Sequence, residues 1–135
     1  MAASIDAFLA QNVKAAETVE FRLDRFKAPF ELRPLTQAEA DVIRKNCTKR
    51  IRDKQTGQIN ISLDTAAYSN GLVKASVVTP DLNNADLQAA YGMPGKPLET
   101  LQAMLLAGEF ANLSEKVQEI SGFETEGELV DDVKN

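Results

Sequence analysis

TPDLNNADLQAAYGMPGKPLETLQAMLLAGEFANLSEKVQEISGF, residues 79–123, is the stretch on which the fold turns. Two apolar-periodic segments, Leu98 to Leu106 and Phe110 to Ile120, flank Gly108, and the second repeats apolar residues at Phe110, Leu113, Val117 and Ile120. Steps of three and four put those side chains on one helical face, so each segment predicts a helix with an apolar stripe. Gly92, Gly108 and Gly122 sit where a left-handed residue would release the chain from a helix end, and Phe123 supplies the apolar contact that accompanies such a cap. Asn83 or Asn84 caps a short helix carrying Leu87 and Tyr91. The loop Met93-Pro-Gly-Lys-Pro97 then reverses the chain, and Pro97 suits the first turn of the helix that follows.

Upstream of this helical unit the period changes. Thr18 to Leu23 and Phe30 to Arg33 alternate polar and apolar residues, which predicts two half-buried strands joined through the turn residues of Asp24 to Pro29. Pro34 cannot donate to a ladder and ends the second strand or confines it to an edge. A lone hairpin is marginal in water, so its apolar face (Val19, Phe21, Leu23, Phe30, Leu32) needs helices against it. The class expected is therefore α+β: a small antiparallel hairpin packed on about five helices, with a mostly helical C-terminal half.

Thr36 and Glu39 make a capping box at the clearest helix start in the chain. That helix is expected to run through Val42, Ile43, Cys47 and Ile51, with Cys47 a small apolar residue on the buried stripe. Asp53-Lys-Gln-Thr-Gly57 is a polar turn, and Gln58 to Ser62 is a candidate third strand. Asp64 or Ser62 then caps a helix expected to extend through Leu72, Val73, Val77 and Val78 and to stop at Thr79-Pro80. Gly71 weakens it by about 1 kcal/mol relative to alanine if it lies in the helix interior.

Three segments are expected: a helical arm at residues 1–14 with Ser4 as its cap, one α+β domain at 15–123, and an acidic tail at 124–135 that is mobile or completed by a partner. The arm is too short to be stable alone, so it folds onto its own domain or docks on a neighbouring copy.

At 135 residues, with 44% hydrophobic and 26% charged residues, the chain suits one globular domain with one core. No run approaches the roughly 18 apolar residues of a membrane helix, and the N-terminus lacks a basic start, so the cytoplasm is the expected location. A net charge of −5 opposes binding to nucleic acid. Lys45, Lys49, Arg50, Arg52 and Lys54 still form a basic cluster, read as a solvated helix end, with an acidic-partner patch as the second reading.

With no histidine and one cysteine, the common metal-ligand sets and histidine-activated nucleophiles are excluded. There is no phosphate-binding loop or dinucleotide fingerprint. The carboxylate pairs Asp81 with Asp86 and Glu109 with Glu115 carry no sign of the raised pKa that acid catalysis needs. The expectation is a non-enzyme with no catalytic residue, cofactor or metal. What remains is binding through apolar surface. Leu98, Leu101, Met104, Leu105, Leu106, Phe110 and Leu113 are more large apolar side chains than a short helical pair needs to cover itself, and they are the candidate partner-binding residues.

Val77, Pro80, Asp81 and Leu82, then Leu87, Tyr91 and Gly92, then Met104 to Leu106, Gly108 and Glu109, and finally Ile120 to Phe123, occur in an order and spacing that resembles the XkdN-like tail assembly chaperones of tailed phages. Phe30 to Leu35 together with Cys47-Thr48 resembles that family's other block. The resemblance implies a cytoplasmic protein of the phage-infected host that binds the tape measure protein, keeps it soluble, helps recruit tail tube protein, and is absent from the mature virion. It further implies self-association and a longer form of the same chain made by programmed frameshift. Val133-Lys134-Asn135 can be encoded as GTA AAA AAC, which contains a slippery heptamer. The alternative of another class is a tail-completion or connector subunit retained in the particle; a small antitoxin-like or adaptor protein is a third. Neither nucleic acid nor membrane is an expected partner.

Overall fold

The structure, a computed structural model, describes residues 4–122. Its centre is a three-stranded antiparallel sheet made of β1 (Val19–Phe21), β2 (Phe30–Leu32) and β5 (Val77–Thr79), with β2 in the middle. Val19 lies opposite Leu32 and Phe21 opposite Phe30, which puts Phe30 and Leu32 on the buried face. The expected hairpin is thus present, and a third strand is added to it from an unexpected part of the chain. A second, separate ribbon pairs β3 (Thr48–Arg52) with β4 (Ile59–Leu63).

Among the described residues five α-helices complete the α+β architecture: α1 (Gln37–Asn46), α2 (Thr65–Ser76), α3 (Ala85–Ala90), α4 (Pro97–Met104) and α5 (Ala107–Ile120). Helix α2 is the hub and packs against α1, α4 and α5. Its Leu72 and Val73 meet a core built from Phe30, Leu32, Leu101, Met104, Leu113 and Val117. Among the described residues the buried side-chain polar atoms are paired. Ser76 donates through its hydroxyl to the Arg33 carbonyl at 2.7 Å and accepts at its own carbonyl from Arg33 N–H at 2.8 Å, tying the end of α2 to β2. Gln88 donates to the Leu82 carbonyl at 2.8 Å and accepts from Gly95 N–H at 2.9 Å, so one buried amide holds both ends of the α3 loop.

The local signals behave as their chemistry requires. The Thr36 hydroxyl accepts from Glu39 N–H at 3.2 Å, and Glu39 accepts in return from Thr36 N–H at 3.1 Å. Asp64 caps α2, Asn84 caps α3 and Pro97 opens α4. Gly92 and Gly122 have φ of +70° and +93°, the left-handed geometry that a side chain resists.

Four expectations fail for identifiable reasons. Helix α1 ends at Asn46 and does not reach Ile51. The Thr48 hydroxyl turns back onto the Arg44 carbonyl at 2.8 Å, and Thr48–Arg52 then closes a five-residue ladder with β4, satisfying backbone groups that one more helical turn would have satisfied locally. The expected stripe is correspondingly not buried: Val42 and Ile51 are exposed and Cys47 is half-buried. Helix α2 stops at Ser76 because Val77, Val78 and Thr79 are β-branched and precede a proline, which favours extended backbone, here β5. Gly108 is no helix terminator. It lies in the first turn of α5, and the break falls at Leu105 and Leu106, both extended, with ψ of 145° and 156°.

At the N-terminus Ser4 accepts from Asp6 N–H at 3.2 Å as expected, but what it caps is a pair of 3-10 turns, Ile5–Phe8 and Ala10–Asn12. Every residue from 4 to 18 is exposed. The acidic tail at 124–135 and the predicted Phe123 contact lie outside the described residues.

Candidate functional site

The seven residues predicted to bind a partner divide sharply. Leu101, Met104, Leu105 and Leu113 belong to the core, facing α2 and the sheet. Leu98 and Phe110 are half-buried, and Leu106 alone among the seven is largely exposed, at 60%. Spacing identified the apolar face of α4 and α5 correctly as apolar. Most of that face is covered by α2, which leaves Leu106 as the open residue among the seven.

A groove of about 240 Å³ lies between the β1–β2 turn and α3. Its walls are Phe26, Pro29, Pro80, Leu87 and Tyr91, with Met104 below. Two of the wall residues have a local reason to be there. Phe26 stands edge-on to Phe30, with ring centroids 5.1 Å apart, which anchors an aromatic in an otherwise polar turn. Tyr91 follows the last turn of α3, where Gly92 redirects the chain, and the residue is 37% exposed. Beyond Pro80 and Leu87 the groove opens towards Asp81, Asn84 and Asp86, giving an apolar floor with an acidic end.

An ion pair borders the groove. Arg25 stacks over the Phe26 ring, 5.2 Å from its centroid, and donates to both carboxylate oxygens of Glu109 and to the Met104 carbonyl at 3.0 Å. Glu109 also accepts from Leu106 N–H at 2.8 Å. Leu106 has no side-chain acceptor, so only the returning half of a capping box forms at the start of α5. The Arg25 guanidinium, and after it the Leu106 amide, hold the Glu109 carboxyl below its ordinary range. Glu109 is therefore ionised and occupied in fixing the α4–α5 corner, from which Leu106 projects.

Lys45 does lie in the last turn of α1, but the rest of the basic cluster is on the β3–β4 ribbon and its turn and not on a helix end. Arg50 is directly opposite Ile61 and Arg52 opposite Ile59, so one face alternates cations with isoleucines. All residues from 49 to 62 are exposed. Sequence reasoning misses this apolar component because Ile51 reads as part of a helix stripe and Ile59 and Ile61 as part of a candidate third strand with no face assigned. The signal available was the matching density of exposed-type residues around them, Lys49-Arg50 and Asn60. Among the described residues there is no group of three or more potential metal ligands, and no helix is long and apolar enough to cross a membrane.

A family model described as phage XkdN-like tail assembly chaperone protein matches residues 5–134. The chain is 33% identical over 109 residues to the phage-like element PBSX protein XkdN of Bacillus subtilis (strain 168), a match covering 79% of this chain and 72% of that protein. In fold it is similar to the crystal structure of the protein yqbn, with a TM-score of 0.75 over 92% of this chain and 100% of the other, at 24% identity.

Proposed function

The chain belongs to the phage XkdN-like tail assembly chaperones, and from that premise we propose that it binds the tape measure protein, keeps it soluble, helps recruit tail tube subunits, and leaves before the virion is complete. The observation that carries this reading is an apolar groove left open between the β1–β2 turn and α3, together with an exposed Leu106 at the α4–α5 corner. A long helical client presents apolar ridges at intervals of three and four residues. A groove of this kind covers such a ridge without sequence-specific polar contacts, and Met104 on its floor adapts to different side chains. The acidic end at Asp81 and Asp86 favours clients with basic flanks.

The mechanism is reversible masking. Apolar contacts of limited area hold the client out of aggregation, and tube subunits that cover the same ridges more extensively displace the chaperone. The protein acts by binding and not by catalysis, in the host cytoplasm, alongside further copies of itself and a frameshifted longer form. Nucleic acid and membrane have no part in it.

Co-expression of the tape measure protein with and without this chain tests the proposal. The expected result is a soluble tape measure that co-purifies with the chain. An insoluble tape measure in both cases would overturn it. Mass spectrometry of purified particles separates the chaperone from a retained connector subunit: the chaperone is expected to be missing, and a stoichiometric presence would favour the connector. Reading the nucleotide sequence across the stop codon tests the frameshift, which needs an intact heptamer and an overlapping open frame.

A further inference from the structure

The β3–β4 ribbon is an unusual surface for an acidic protein. Lys45, Lys49, Arg50, Arg52 and Lys54 fall within ten residues that contain one carboxylate, Asp53. Among the described residues the ion pairs are Arg25–Glu109, Arg33–Glu39 and Lys116–Glu119, and none involves a ribbon cation. Ile51, Ile59 and Ile61 are each more than half exposed on the same two strands. A two-stranded ribbon has two free edges and little stability of its own, so a segment that covers it with opposite charge and apolar side chains stabilises it.

The chain itself contains such a segment. Residues 124–135 carry five carboxylates (Glu124, Glu126, Glu128, Asp131 and Asp132) against one lysine, and they include Leu129, Val130 and Val133. The described chain ends at Gly122, beside the start of α1, where the Ser121 hydroxyl accepts from Leu35 N–H at 3.1 Å. Helix α1 has ten residues and is therefore about 15 Å long, and β3 begins two positions after it ends. Thirteen residues beyond Gly122 span up to roughly 45 Å when extended. Reach is therefore ample, and both charge and apolar content match.

We propose that residues 124–135 dock on the β3–β4 ribbon of their own chain, with carboxylates against Arg50 and Arg52 and the Leu129–Val133 side chains against Ile59 and Ile61. This is independent of what the groove binds. Because the ribbon cations are exposed, salt screens the attraction, and release is expected as ionic strength rises.

A nitroxide on Cys47, immediately before β3, tests this in the full chain by broadening nearby amide resonances. The expected result is strong loss of intensity for residues 124–135 in dilute labelled protein, with recovery in high salt and in R50E/R52E. Where the label perturbs α1, C47S/K54C places it at the ribbon turn instead. Unbroadened tail resonances from both positions would overturn the proposal. Broadening that appears equally when spin-labelled unenriched chain is mixed with unlabelled enriched chain would also overturn it, since the tail would then dock on another copy.

Discussion

Gly71 shows how one residue is fixed by a contact distant in sequence. A β-carbon built there would stand 2.6 Å from Cγ2 of Ile43, closer than packed atoms approach, so the glycine lets α1 and α2 meet. Propensity alone says that alanine gains about 1 kcal/mol in a helix interior. Overpacking reverses the sign, and Gly71→Ala is expected to destabilise by about 1–3 kcal/mol in urea unfolding. Ile43→Ala should cost less in the G71A background than alone, because the two substitutions act on one space. Glu39 adds a pH dependence. The Arg33 side chain, and after it the Thr36 amide, lower its carboxyl from an ordinary 4.5 to about 2. Folding thus favours the ionised form, and the stabilisation is complete above pH about 4.5 and lost as pH falls towards 2. The stability difference between wild type and E39Q should be constant near neutrality and shrink across that window. The capping box behind this effect was readable from Thr36 and Glu39 alone, since its partners are three residues apart. The role of Gly71 was not, because Ile43 lies 28 positions away.

At the scale of elements, what could be read was what is local. Caps, the Pro97 helix start, the β1–β2 alternation and the apolar faces of α4 and α5 follow from neighbours within one turn or one strand. Strand β3 was hidden because its partner β4 lies across a turn, and residues 42–51 carry apolar side chains at helical intervals either way. Strand β5 was hidden because Val77 and Val78 continue the apolar pattern of α2, and only pairing with β2 makes them extended. The seven candidate residues illustrate the same limit: helical spacing reports an apolar face, but which part of it α2 covers is a tertiary matter. The structure therefore predicts opposite outcomes for two leucines on adjacent helical segments. Leu101→Ala, at 0% exposure, should cost about 2–5 kcal/mol, whereas Leu106→Ser should change stability by no more than about 0.5 kcal/mol. Thermal or urea unfolding of the two variants checks this.

For the whole molecule, the arrangement separates two jobs. The core around α2 supplies stability, while the groove lined by Tyr91 borders that core at Phe30 and Met104 and, with the exposed Leu106, offers the surface on which the client contact is proposed. The same separation makes the proposed client contact testable without unfolding the protein. The most direct measurement is solubility and co-purification of the tape measure protein with the double variant Tyr91→Asp and Leu106→Asp, whose fold is first matched to wild type by circular dichroism and urea unfolding. A folded variant that leaves the tape measure insoluble, while wild type keeps it in solution, is the predicted result. A folded variant that retains the tape measure as well as wild type does would contradict the groove as the chaperone surface.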